Sequence, residues 1–188
     1  GTFNSRSAVA GGSAAVLAAE KIIEAGNPTA ASLLEAAIAD IEFDRGRYVI
    51  AGTDRSVTLD AVVTEASGLS AEAMFIPDSP TFPNGTHICE IEIDPETGRV
   101  ALQRYTTVDD VGNVLNPLLL EGQIQGGVVQ GMGQALLEAI RFDPETGQTV
   151  TGSFMDYAMP RADDVCAIET QSCPVPTALN PLGVKGAG

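Results

Sequence analysis

Apolar positions recur at helical spacing over residues 13–25, a run of Ala, Val, Leu and Ile broken on one side by Glu20, Lys21 and Glu24. Gly26, Asn27 and Pro28 then read as a stop, because Pro cannot donate into a continuing helix and Gly suits the left-handed cap. A second helix is expected from about Thr29, with Leu33, Leu34, Ala37 and Ile38 as its apolar stripe. The period then falls to two, since Ile41-Glu42-Phe43 and Tyr48-Val49-Ile50 alternate around Asp44-Arg45-Gly46 and predict a hairpin. Thr58 can cap a third helix running to about Ser67, with Leu59, Val62 and Val63 facing the core. The clearest strand covers residues 87–93, turns at Asp94-Pro95-Glu96-Thr97-Gly98 and returns over residues 100–108, which makes Cys89 a small buried hydrophobe. The same five residues recur at 143–147. Pro in second place and Gly in last make both copies tight turns with solvent-facing acids, and too few carboxylates converge for a calcium loop. Beyond Pro160, the prolines at 174, 176 and 181 and the lack of periodicity predict an extended surface segment. Helices combined with antiparallel hairpins give an α+β fold class.

Composition narrows the partners. The 188 residues are 44% hydrophobic, enough for one compact domain over residues 1–188 with a core of its own. Twenty-five acidic against ten basic residues leave a formal charge of −15, which argues against nucleic acid and against anionic membrane surfaces. No apolar run reaches the ~20 residues of a membrane-spanning helix. Cys89, Cys166 and Cys173 form no Cys-x-x-Cys pair and His87 is the single histidine, so no zinc or iron–sulfur ligand set is expected and no metal is assigned to this chain's side chains. Thiols without a disulfide framework fit a reducing compartment, and the cytoplasm is the expected location.

Two glycine-rich segments carry the candidate chemistry. Over residues 121–138 Gly122, Gly126, Gly127, Gly131 and Gly133 alternate with Gln123, Gln125, Gln130 and Gln134 while helical spacing persists. Each glycine costs a helix roughly 1 kcal/mol relative to Ala, so close backbone contact with a ligand or another helix is the expected gain. The glutamines add uncharged donors and acceptors suited to a heteroaromatic edge. The other reading is a glycine-faced core helix with a polar side. Gly183-Val184-Lys185-Gly186-Ala187-Gly188 reads either as a frayed tail or as backbone passing close to a ligand.

These segments, taken with Gly1-Thr2-Phe3-Asn4-Ser5-Arg6-Ser7, Phe82-Pro83-Asn84-Gly85-Thr86-His87 and Asp156-Tyr157-Ala158-Met159-Pro160, carry a resemblance over nearly the whole chain. In order and spacing the sequence is similar to the C-terminal part of the molybdopterin-binding large subunit of the xanthine dehydrogenase, aldehyde oxidase and aerobic carbon monoxide dehydrogenase family. The resemblance implies the second molybdopterin-binding domain of a molybdenum hydroxylase, its helices packed on antiparallel hairpins. It implies molybdopterin with molybdenum as cofactor, in the cytosine dinucleotide form or a simpler pterin form. Iron–sulfur clusters and FAD would sit on partner subunits or domains, with the remainder of the large subunit as a further partner. The substrate would be a small aldehyde, N-heterocycle or carbon monoxide. Ser5, Arg6 and Ser7 would wrap the cofactor, with Arg6 on phosphate or pterin oxygens. Gln123 would bond the pterin side, Gly126 and Gly127 would permit close approach, and Lys185 would orient its loop or meet phosphate; His87 is the weakest candidate. The family's general base is a glutamate expected directly after Gly188. No catalytic residue is therefore expected within residues 1–188, and the chain reads as a fragment inactive alone. The competing expectations are a non-catalytic scaffold domain against a cofactor-bearing partner, and a small-ligand domain that binds neither molybdenum nor pterin.

Overall fold

The computed structural model describes residues 5–187, so residues 1–4 of the N-terminal motif and Gly188 lie outside the described residues. The chain divides into two compact units, residues 10–78 and residues 79–188 with 1–9.

In the first unit a long helix, α1 (Ser13–Leu34), precedes a three-stranded antiparallel meander of β1 (Ile41–Asp44), β2 (Arg47–Ile50) and β3 (Ser56–Thr58), and a short helix, α2 (Leu59–Glu65), follows. Phe43 pairs with Tyr48 across the predicted hairpin turn. Ala30, Ala31, Leu34, Ile41, Tyr48 and Val62 form the core. The Thr58 hydroxyl accepts from the Ala61 N–H at 3.2 Å, the expected cap of α2.

The expected break at residues 26–28 does not occur, and α1 runs through Pro28 as one helix. Pro28 is on the exposed side, where the carbonyl it leaves unpaired meets water. Gly26 is buried instead of capping, because Tyr48 lies against it and donates its hydroxyl to the Ile23 carbonyl at 3.0 Å. Burial of Ala30, Ala31 and Leu34 carries the helix past the proline. The turn comes at Glu35, left-handed at φ 52°, so Ala37 and Ile38 fall outside the helix and Leu33 is exposed.

In the second unit β4 (Asn84–Ile93) and β5 (Val100–Asp110) form the long predicted hairpin, joined by the 94–98 turn. Asp94 accepts from the Glu96 N–H at 2.8 Å and from the Thr97 hydroxyl at 2.7 Å, and Gly98 takes φ +72°. Asp143 repeats the pattern with the Glu145 N–H at 2.8 Å, closing a turn held by one Phe142–Thr149 bridge in place of full strands. Helix α3 (Pro117–Leu136) holds every glycine and glutamine of the 121–138 segment, its first turn capped by Asn116 through the Leu119 N–H at 3.2 Å. Tyr157 of the 156–160 motif donates to the Glu138 carboxylate just past its end.

Two expectations are corrected here. The segment beyond Pro160 runs extended in part, as β6 (Ile168–Ser172), but β6 pairs with β5 in parallel, so this sheet is mixed and not purely antiparallel, with β5 central. Cys89 is exposed, because the α3 residues opposite it include Gly127 and Gly131, which bring no side chain to cover it.

Candidate functional site

The site is built at the end of β5. Asp110 is buried, and its carboxylate accepts from Lys185 Nζ at 2.5 Å and from the Gly112 and Val175 N–H groups, each at 2.9 Å. The Lys185 hydrogen bond, with the two backbone donors, holds its pKa down at about 2. Gly112 follows at φ +68°, where a Cβ would collide with the Gly183 carbonyl. Only glycine lets the 183–187 backbone come this close.

That backbone is held at Gly183, Val184, Lys185 and Ala187. Gly112 bridges Val184, and Asn113 takes the Gly183 carbonyl with its N–H at 3.0 Å and the Leu182 carbonyl with its amide at 2.7 Å. The buried Asn180 bonds both backbone groups of Val184, at 2.8 and 3.1 Å, and the Lys185 N–H reaches the Val111 carbonyl at 2.7 Å. At the far end the Ser5 hydroxyl both donates to the Ala187 carbonyl and accepts from its N–H, each at 3.0 Å. Ser5 does this from a left-handed backbone at φ 54°, a conformation uncommon for a residue with a side chain. Up to Ala187 the glycine run is therefore a fixed segment, which sets aside the frayed-tail reading.

Ala187 forms part of the wall of a cleft of about 330 Å³, together with Asn84, Gly85, His87, Asp109, Gln123 and Gly127, and with Pro83, Val111, Ile124 and Val128 as its apolar lining. Gln123 and Gly127 are one helical turn apart and so share a face of α3. His87 is braced from both sides, Nε2 to Asp109 Oδ1 at 3.1 Å and Nδ1 to the Tyr105 hydroxyl at 3.3 Å. A second, more apolar groove of about 390 Å³ adjoins the cleft, shares His87, Gly127 and Val128 with it, and is floored by Cys89, Ile91, Leu102 and Met132.

The sequence-predicted residues separate into groups. Gln123 and Gly127 line the cleft, and Ser5 fixes its Ala187 wall. Gly126 turns to another face of α3, lining a groove with Gly122, Gln125 and residues 160–168. Lys185 spends its charge on Asp110, with only 13% of its side chain exposed, so its position is that of a loop anchor. Arg6 and Ser7 are exposed, already engaged in an interaction each, and do not line the cleft. Sequence reasoning passed over Asp109, Asp110, Asn113 and Asn180. Their signal was faint but present: an acid pair closing a long strand immediately before a glycine, with Asn nearby to bond backbone.

The cleft offers amide, imidazole and carboxylate groups over an apolar lining, and among the described residues no Lys or Arg lines it. That donor set fits a neutral heteroaromatic ring and not a phosphate.

Comparison with known proteins places this chain among relatives. A family model described as a molybdopterin cofactor-binding domain matches residues 1–166. The whole chain is 35% identical to 25% of the length of the 6-hydroxypseudooxynicotine dehydrogenase complex subunit gamma of Paenarthrobacter nicotinovorans. It is also 33% identical, again over its whole length, to 24% of the carbon monoxide dehydrogenase large chain of Afipia carboxidovorans. Among solved structures, 99% of the chain superposes on 25% of a chain of quinoline 2-oxidoreductase from Pseudomonas putida 86, with a TM-score of 0.90 and 35% identity. The chain thus spans about a quarter of the length of the curated relatives it matches.

Proposed function

The chain belongs to the molybdopterin cofactor-binding domain family, and from that premise we propose that it supplies cofactor-binding loops to a molybdenum hydroxylase-type oxidoreductase. The observation that carries this reading is the cleft where Gln123 and Gly127 of α3 face Ala187, itself clasped by Ser5. Two segments singled out in the sequence, 182 residues apart at their point of contact, meet there.

In this reading Gln123 bonds the pterin ring, which Gly127 lets approach the helix backbone. Arg6, with Ser5 and Ser7, serves the phosphate side of a cytosine dinucleotide form, keeping anionic groups away from the cation-free cleft. Lys185 does not reach the ligand; through Asp110 it sets the course of the 183–187 segment. The expected glutamate base would follow Gly188, directly beyond that segment, and the chain itself contributes position. When bound, the molybdenum cofactor supplies the oxidation–reduction chemistry, acting on a small aldehyde, N-heterocycle or carbon monoxide. Iron–sulfur and flavin groups would be held by partner subunits or domains of a cytoplasmic complex. Among the described residues no helix is long and apolar enough to cross a membrane.

The test is substitution of Arg6→Ala and Gln123→Ala together in the complete subunit, produced with its partners. Molybdenum by mass spectrometry and pterin by oxidative release should fall together. Unchanged occupancy of both would sink the assignment and favour the scaffold reading.

A further inference from the structure

His87, Asp109 and Tyr105 form a polar chain that the proposed function leaves idle. His87 Nε2 binds Asp109 Oδ1 at 3.1 Å and its Nδ1 meets the Tyr105 hydroxyl at 3.3 Å, so both ring nitrogens are committed within the protein. The network assigns the proton to Nε2, which donates to the carboxylate, and leaves Nδ1 to accept from the Tyr105 O–H. An imidazole with both nitrogens occupied is a brace. What it braces is Asp109.

Asp109 is unusual in three respects. Its Oδ2 atom is buried and has no hydrogen-bond partner among the described residues. A buried carboxylate oxygen without a donor is costly, and such atoms call for a partner that arrives later. The residue lines the cleft, beside His87 and in company with Gln123. Gly85 makes room for it, since a Cβ there would collide with Asp109 Oδ1 and press on the Val108 carbonyl. Strand pairing puts Gly85 directly opposite Asp109 and His87 opposite Thr107. Neighbouring positions of one hairpin thus cooperate to hold a carboxylate at the cleft wall.

We propose that Asp109, fixed by His87 and Tyr105, is the anionic acceptor in the cleft for a heterocyclic ring edge that presents an exocyclic amine beside a ring N–H, as an aminopyrimidinone does. The inference rests on the reading that the cleft takes the cofactor's ring, and it says which edge of the ring enters and what holds it. A carboxylate matches two parallel N–H donors, and a phosphate would be repelled. Gln123, with its amide on the same cleft, takes groups of either polarity. The carboxylate thus orients the ring and Gln123 completes its recognition. His87, which touches no ligand in this arrangement, is a positioning residue.

The experiment uses the complete subunit with its partners, loaded with cofactor and then challenged by dialysis against mild guanidinium, with retained pterin and molybdenum followed over time. Asp109→Asn keeps the shape and removes the charge; cofactor loss should accelerate about ten- to a hundredfold, the range of one charge-assisted hydrogen bond. The melting temperature of the cofactor-free protein should stay close to that of the parent, a readout that a purely structural role for Asp109 would move. If Gln123→Ala loses cofactor rapidly while Asp109→Asn retains it like the parent, the role of Asp109 is refuted and the cleft reading stands. If both variants retain it, the cleft reading fails and the inference falls with it. Should Asp109→Asn melt well below the parent, Tyr105→Phe decides instead: removing only the brace must speed release by about two- to threefold, the effect of one neutral hydrogen bond weakened indirectly, and parental release overturns the proposal. Repeating the comparison after enzymatic removal of the cofactor's nucleotide separates the two ring sources. Persistence of the Asp109→Asn effect assigns the edge to the pterin; its disappearance assigns it to the nucleobase and overturns the arrangement with Gln123 on the same ring.

Discussion

At Asp110 three donors converge on one carboxylate, and the acid dependence of the fold should register it. Its pKa is depressed to about 2 from an ordinary 3.8, chiefly by Lys185. A group with a lowered folded-state pKa stabilises the fold above its unfolded value and ceases to do so as pH falls through the folded value. The contribution is therefore present above pH about 4 and disappears between about 4 and 2. Melting curves across that window should show the parent losing stability more steeply than Asp110→Asn, whose amide does not titrate. Parallel curves for the two proteins would mean that Lys185 and the backbone donors hold the segment without the charge. This residue was not legible beforehand. The sequence shows Lys185 in a glycine run and Asp110 at a strand end 75 positions away, and nothing in either neighbourhood names the other. Their meeting depends on the tail folding back on Gly112, a long-range event without a local signature.

Among the elements, α3 shows where local propensity yields to closeness and where it does not. Gly133 is explained within the chain, since a Cβ would collide with the Glu138 carboxylate and the Pro160 ring. Gly122, Gly126 and Gly131 are not: a Cβ at any of them meets nothing within 4 Å. Among the described residues nothing requires those three glycines. Gly126→Ala and Gly131→Ala should therefore each stabilise this chain by roughly 0.5–1 kcal/mol, raising its melting temperature by about 1–4 °C. In the complete subunit the same changes should lower cofactor content or assembly, which metal analysis and gel filtration would report. Gly133→Ala should destabilise in both settings. A loss of stability on Gly131→Ala in the chain alone would show that the groove is tighter than its geometry indicates. The helix spacing, the hairpin periods and both Asp-Pro-Glu-Thr-Gly turns were readable because their causes lie within a few residues. The continuity of α1 through Pro28 was not, because it depends on Tyr48 packing against Gly26 from 22 positions away. Gly26→Ala, whose methyl would run into that ring, should cost about 1–3 kcal/mol by thermal or urea unfolding.

At the scale of the whole molecule, the second unit leaves many large apolar side chains exposed. Every residue of β4 is exposed, with Ile88, Ile91 and Ile93 each more than half so, and on α3 Leu118 and Leu119 are exposed at 77% and 66%. In the sheet order β4-β5-β6, β4 is an edge, so among the described residues one row of its N–H and C=O groups has no strand beside it. A ten-residue edge strand with isoleucines exposed is an unstable surface to leave to water, since it pairs readily with any extended chain. The two curated relatives named above carry the matching segment in chains about four times as long. We expect the remainder of such a large subunit to cover this edge and the apolar face of α3. Hydrogen exchange read by mass spectrometry tests this at the level of single peptides. Outward-facing amides of β4 should exchange at least about tenfold more slowly in the complete subunit than in this chain alone, as edge amides do when they gain a partner. Amides of β5 over residues 105–109, already flanked by β4 and β6, should change little and serve as the internal reference. Equal exchange of β4 in both settings would leave its isoleucines exposed in the assembled enzyme and point to a different partner, one that joins the complex from outside the subunit.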